Sequence, residues 1–155
     1  MKKISEHVSY KEGVYSNTAT RLGLENKPTE EHLNNMTLLS VKVFEPLREW
    51  VGGPIRINSF YRGPELNKAI GGSERSQHCK GEAVDIECPG TSNYTVAKFI
   101  EDNIDYDQLI LEFYTPGIPD SGWVHVSYVG EGNRKQSLTA MKENGKTVYK
   151  PGLIE

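Results

Sequence analysis

A histidine and an aspartate lie seven positions apart in residues 76–87, SQHCKGEAVDIE, on either side of a Gly-Glu-Ala turn. Imidazole nitrogen and carboxylate oxygen are both zinc donors, so His78 and Asp85 can share a metal ion if the turn folds the loop back over the strand that follows. A third donor and a catalytic acid or base must then come from elsewhere in the chain. His125 in GWVHVSY and Glu112 in DQLILEF are the candidates whose surroundings support such a role. Three protein donors leave a fourth zinc position for water, whose pKa falls toward about 7, and a nearby carboxylate can pass that water's proton to a leaving amine. Taken singly, each residue also has a plainer reading. His78 and Asp85 can be a capped loop and a buried hydrogen bond, His125 a satisfied sheet histidine, and Glu112 an edge or salt-bridged carboxylate. His7 and His32, in the N-terminal arm and at the polar start of a helix, have no partner pattern that supports ligation.

Three strand patterns would have to position these groups. In Ala83 to Cys88, Val84, Ile86 and Cys88 point one way while Ala83, Asp85 and Glu87 point the other. In Asp107 to Phe113, Leu109, Leu111 and Phe113 oppose Gln108, Ile110 and Glu112. In Trp123 to Tyr128, Val124 and Val126 oppose Trp123, His125 and Ser127. The chemically capable residue thus falls each time on the face opposite most of the apolar ones. If those faces line one side of a sheet, Asp85, Glu112 and His125 converge in one cleft under the His78 loop.

The rest of the pattern supplies the support. Thr29, followed by Glu30 and Glu31, is a good helix start, and Leu33, Met36, Val43, Leu47 and Trp50 recur at helical spacing until Gly52-Gly53. Pro46 predicts a bend in that helix. Ile55 and Ile57 give a short strand leading into SFYRGP, a small helix follows from Pro64, and another spans about 95–103. Asn144-Gly145 between alternating segments predicts a hairpin. Residues 1–28 lack a sustained period and predict an irregular N-terminal arm that wraps the core. The expectation is one α+β domain over 1–155, a small, mostly antiparallel sheet packed against helices.

The charges nearly balance, 18 Lys+Arg against 21 Asp+Glu, and no basic run occurs, so there is no electrostatic case for binding nucleic acid. Cys79 and Cys88 are too few for a disulfide framework and read as reduced, packed thiols. MKKISEHVSY lacks the apolar stretch of a signal peptide and no later run reaches membrane-spanning length, which predicts a chain that is cytoplasmic as synthesised and makes no membrane contact.

SQHCKGEAVDI resembles the Ser-x-His-x-x-Gly-x-Ala-x-Asp signature of the zinc D-alanyl-D-alanine carboxypeptidases and their phage endolysin relatives, a group whose fold the Hedgehog signalling domain shares. INSFYRGPELNKAIGGSERSQH, DQLILEF and GWVHVSY resemble further blocks of the phage-type branch, and ISEHVSYKEGVYSNTATRLGLENKP resembles its N-terminal arm. The resemblance implies a Hedgehog/DD-peptidase-like fold and a zinc cofactor held by His78, Asp85 and His125. It makes Arg62 the arginine that binds substrate and stabilises developing negative charge, and Ser76 a hydrogen-bonding support. Better-known members carry the catalytic acid three residues before the last histidine, where this chain has Gly122. Glu112 is therefore the expected base, ahead of Asp120, whose aim after Pro119 cannot be read. Trp123 and Tyr114 are either cleft walls, Trp123 then touching substrate, or plain packing. The implied function is zinc-dependent hydrolysis of a D-amino-acid-containing amide in peptidoglycan stem peptides, carboxypeptidase type ahead of L-Ala-D-Glu endopeptidase. The implied protein is phage- or prophage-encoded, monomeric, and reaches the wall after release or delivery. The alternative, a non-catalytic zinc-containing wall-binding or virion module, is favoured by Gly122 and opposed by Glu112.

Overall fold

The computed structural model describes residues 2–155. At the N-terminus β1 (Lys3–Ser5) pairs antiparallel with β2 (Val8–Ser9), and two short helices follow, α1 (Tyr10–Val14) and α2 (Asn17–Leu22). The arm expected to be irregular is therefore largely regular. Its order comes from local caps, which leave no apolar period to read: Ser9 and Glu12 form a capping box on α1, and the Ser16 hydroxyl accepts the Ala19 N–H of α2. Ile4 and Val8 anchor this arm in the core.

Thr29 caps α3 (Glu30–Leu39), its Oγ1 accepting the His32 N–H at 3.1 Å. The helix then widens into a π segment, Ser40–Phe44, and continues as α4 (Glu45–Val51) until Gly52. The perturbation expected from Pro46 thus takes the form of a wider turn just before it, in which the Glu45 N–H donates to the Ser40 carbonyl. Proline offers no N–H and its ring crowds the carbonyl four residues back, so the extra backbone of a π turn relieves both. This run buries Met36, Leu39, Val43, Phe44 and Leu47, while Trp50 stays partly exposed and stacks on Phe99 at 4.1 Å between ring centroids.

The second half builds the main sheet from β3 (Arg56–Ser59), β4 (Ala83–Glu87), β5 (Gln108–Glu112), β6 (Trp123–Ser127), β7 (Gln136–Glu143) and β8 (Lys146–Pro151). Helix α5 (Pro64–Ala69) and a 3-10 turn, Gln77–Lys80, lie between β3 and β4, and α6 (Asn93–Asn103) lies between β4 and β5. The strand order is β3-β4-β6-β5-β7-β8, with every neighbour antiparallel except the parallel pair β5–β7. Asn144-Gly145 makes the β7–β8 turn with both φ values positive. The architecture is α+β, as the sequence predicts. Val84, Ile86, Leu109, Leu111, Val124 and Val126 are fully buried in the main core, each contributing on the order of 1.5–3 kcal/mol of transfer free energy. Both cysteines are free thiols, and burial pushes Cys88 up to about 12. Among the described residues no helix is long and apolar enough to cross a membrane.

Candidate metal centre

Gly81 makes the turn that returns the chain from His78 to β4. Its φ of 73° lies in the left-handed region, and a β-carbon there would collide with the His32 carbonyl of α3, so only glycine fits. Ser76 starts the 3-10 turn, its hydroxyl accepting the His78 N–H at 3.2 Å. The segment after β3 holds His78 from the other side. The Arg62 N–H donates to the His78 carbonyl at 3.1 Å, and the ring Nδ1 lies 2.7 Å from the Phe60 carbonyl oxygen. A carbonyl can only accept, so Nδ1 carries the proton and Nε2 of the neutral ring presents a lone pair.

That lone pair faces Asp85. Nε2 and Oδ2 are 3.2 Å apart but lack hydrogen-bond alignment, and Nε2 is buried with no hydrogen-bond partner among the described residues. Across the β4–β6 ladder Asp85 stands directly opposite His125, whose Nδ1 is 2.9 Å from Oδ1. The three residues offer donor atoms that lie within 4.8 Å of one another. A neutral ring nitrogen and a carboxylate oxygen both donate electron pairs, so what suits the space between them is a cation. Two imidazoles and one carboxylate form a donor set that zinc accepts. The side chains present therefore fit that metal.

Burial opposes the charge on Asp85, but the pull of His78 and the hydrogen bond from His125 hold its carboxyl well below the usual range. Burial lowers His78, favouring the neutral ring; it also disfavours charge on His125, but the hydrogen bond to Asp85 raises that ring on balance. A divalent cation at the same place would hold both rings as neutral donors.

The triad opens into a cleft of about 520 Å³ that Arg62, Ser76, Glu112 and Trp123 also line. Arg62 keeps its Nε buried without a protein partner among the described residues. Glu112 stands opposite Trp123 in the β5–β6 register, and its Oε2 accepts the indole N–H at 2.8 Å. Burial raises the Glu112 pKa, with the hydrogen bond and nearby positive groups offsetting part of the shift. Asp120 lines a different pocket, with Arg56, Ser92 and Asn93. Tyr114 does not line the cleft; it packs against the core and tilts toward Tyr94. The two histidines without a sequence pattern have other partners: His7 Nδ1 lies 2.6 Å from Glu45, and His32 Nδ1 lies 3.3 Å from the Tyr61 hydroxyl.

Gly122 has a physical cause. With φ at 66°, a β-carbon there would overlap the Glu112 carbonyl, so no side chain can stand three residues before His125. Asn93 fixes the approach, its amide donating to the Ser121 and Gly122 carbonyls at 2.8 and 3.2 Å. The other carboxylate that lines the cleft, Glu112, comes instead from the neighbouring strand. The cleft also contains Gln108, which alternation put on the face of Glu112, and Arg134 and Tyr149, which motif and period did not single out. Arg134 sits in a loop with no pattern, and Tyr149 reaches the site only because β7 joins β5, a pairing that alternation cannot reveal.

Comparison with known families places the chain among metallopeptidases: residues 6–127 match the model for Peptidase M15. The chain belongs to that family and is a peptidase. No curated protein matches it. The matched segment ends with β6, and β7 and β8 lie beyond it.

Proposed function

We propose that the protein is a zinc peptidase, acting as a single-domain monomer, that hydrolyses an amide bond next to a D-amino acid in peptidoglycan stem peptides. The D-alanyl-D-alanine carboxypeptidase type is the preferred form, and the likeness to the phage-type branch supports a phage or prophage source. The observation that carries the reading is the unpartnered, buried lone pair of His78 Nε2 facing Asp85, with His125 completing the set. His78, Asp85 and His125 would hold the metal. Bound there, zinc would supply Lewis acidity and lower a water's pKa toward about 7.

The chain's own groups do the rest. The Phe60 carbonyl orients the His78 imidazole through its hydrogen bond, and the β4–β6 register sets His125 beside Asp85. Glu112 accepts the Trp123 indole N–H on Oε2, which leaves Oε1 to take the proton of the attacking water and deliver it to the leaving nitrogen. Its raised pKa makes it a better base than an ordinary carboxylate. Arg62, with a buried donor lacking a protein partner among the described residues, suits a substrate's terminal carboxylate or the developing oxyanion. The terminal-carboxylate role supports the exopeptidase form. The test is incubation of the zinc-loaded protein with purified peptidoglycan and mass spectrometry of what is released. Free D-alanine is the expected product. Larger stem fragments would move the assignment to an L-alanyl-D-glutamate endopeptidase, and no release would favour a non-catalytic wall-binding module.

A further inference from the structure

The register lays the cleft out along β5. Asp85, His125 and Ile110 form one row across the sheet, and Glu112 and Trp123 form a row toward one end of the strand. Gln108 lies at the other end, bonded through its amide to Gln136. At about 3.3 Å per residue, Gln108 is some two residues, or roughly 7 Å, from the metal row. Arg134 lines the cleft and is tied to Asp107, the residue immediately before Gln108.

Arg134 is held with unusual definition for a loop arginine. Its Nε and Nη2 donate to the two oxygens of Asp107 at 3.0 and 2.9 Å, and its backbone N–H donates to the same carboxylate at 3.0 Å. Asp107 is itself nearly buried and accepts a further bond from Gln77, the neighbour of His78, at 3.0 Å. The guanidinium is thereby fixed in plane by one edge. Nη1 has no protein hydrogen bond among the described residues, and the side chain remains 56% exposed. A planar, preoriented fork with an open edge is suited to a carboxylate.

The charge count points the same way. The molecule carries a net charge of -3, yet its cleft sets three arginines, Arg62, Arg75 and Arg134, against two carboxylates, Asp85 and Glu112, an excess of one cation before any metal is bound. One terminal carboxylate or one oxyanion engages Arg62 alone, which leaves cations that a singly charged substrate does not use. Cations gathered in a cleft on an otherwise acidic molecule draw anionic ligands toward it.

We infer that Arg134 is a specificity-determining residue: it takes a substrate carboxylate carried one or two residues from the scissile amide, so the preferred peptide bears a second anionic group. This rests on the cleft's being a peptide-binding site, and it adds a part that the family-matched segment does not contain. The test uses two synthetic stem pentapeptides ending in D-alanyl-D-alanine that differ at one group, the α-carboxyl of D-glutamate, free in one and amidated in the other. Binding to zinc-loaded protein is measured by calorimetry and hydrolysis by chromatography, for wild type, Arg134→Lys, Arg134→Gln and, for comparison, Arg75→Gln. Lysine can keep the charge beside Asp107 but cannot both grip it and offer a second edge, so a folded variant is available if glutamine destabilises the loop. The expected result is that wild type prefers the free carboxylate by about tenfold and that both Arg134 variants lose this preference while their affinity for the amidated peptide holds. An equal affinity of wild type for the two peptides, or a preference that survives in Arg134→Lys or vanishes only in Arg75→Gln, overturns the inference. If a preference that depends on Arg134 appears in binding while neither peptide is cut, the subsite stands and the proposed activity falls.

Discussion

Glu112 is tied at one oxygen and open at the other. Trp123 holds Oε2, and Oε1 has no partner among the described residues. Glutamine in its place can still accept the indole bond but cannot take a proton. Glu112→Gln should therefore keep its zinc and its melting temperature while losing at least about two orders of magnitude in turnover, measured on a stem peptide. Asp120→Asn, altered in a separate pocket, should stay within about twofold of wild type. The reverse pattern would transfer the base to Asp120. At this scale the sequence was informative where chemistry needs a particular atom type on a particular face: alternation put Asp85, Glu112 and His125 each on the face opposite most of the apolar residues. It could not show that Gly122 is forced by the Glu112 carbonyl, because that contact joins the end of β5 to the residue just before β6, ten positions further along the chain.

Between elements, Asp107 is the junction. It ties the 3-10 turn through Gln77, β6 through the Ser127 carbonyl, and the approach to β7 through Arg134. The hydrogen bonds from Arg134 lower its pKa against the effect of burial. A carboxylate whose folded pKa lies below its unfolded value stabilises the fold fully above the unfolded value, about 3.9, and loses that contribution as pH falls through the lower folded value. Asp107→Asn should accordingly unfold more easily than wild type near neutral pH, and the gap should shrink as pH drops below about 4, read from urea midpoints at each pH. A constant gap would mean that the ionised form contributes nothing special. None of this junction was visible in the sequence, where Asp107 is only the first residue of a strand pattern. Periodicity reports which face a side chain takes and says nothing about which strand lies next door. The helix over Glu30–Val51 and the hairpin at Asn144-Gly145 were legible because their signals are local, whereas the N-terminal arm was missed because caps rather than stripes order it.

As a whole, the molecule joins a helical layer, a sheet and an open cleft, with the side chains able to hold a cation on the side of the sheet away from the buried valines and leucines. The α+β architecture could be anticipated from helices and short strands in sequence, while the β5–β7 parallel pairing, which carries the last two strands and Tyr149 to the cleft, could not. The central claim is that His78, Asp85 and His125 hold one zinc ion, and metal content after equilibrium dialysis tests it most directly. Wild type should retain about one zinc per chain. His78→Ala and His125→Ala should retain almost none, and their melting temperatures should no longer rise when zinc is added, because binding free energy adds to the stability of the folded state. Full zinc retention in both variants would contradict the account.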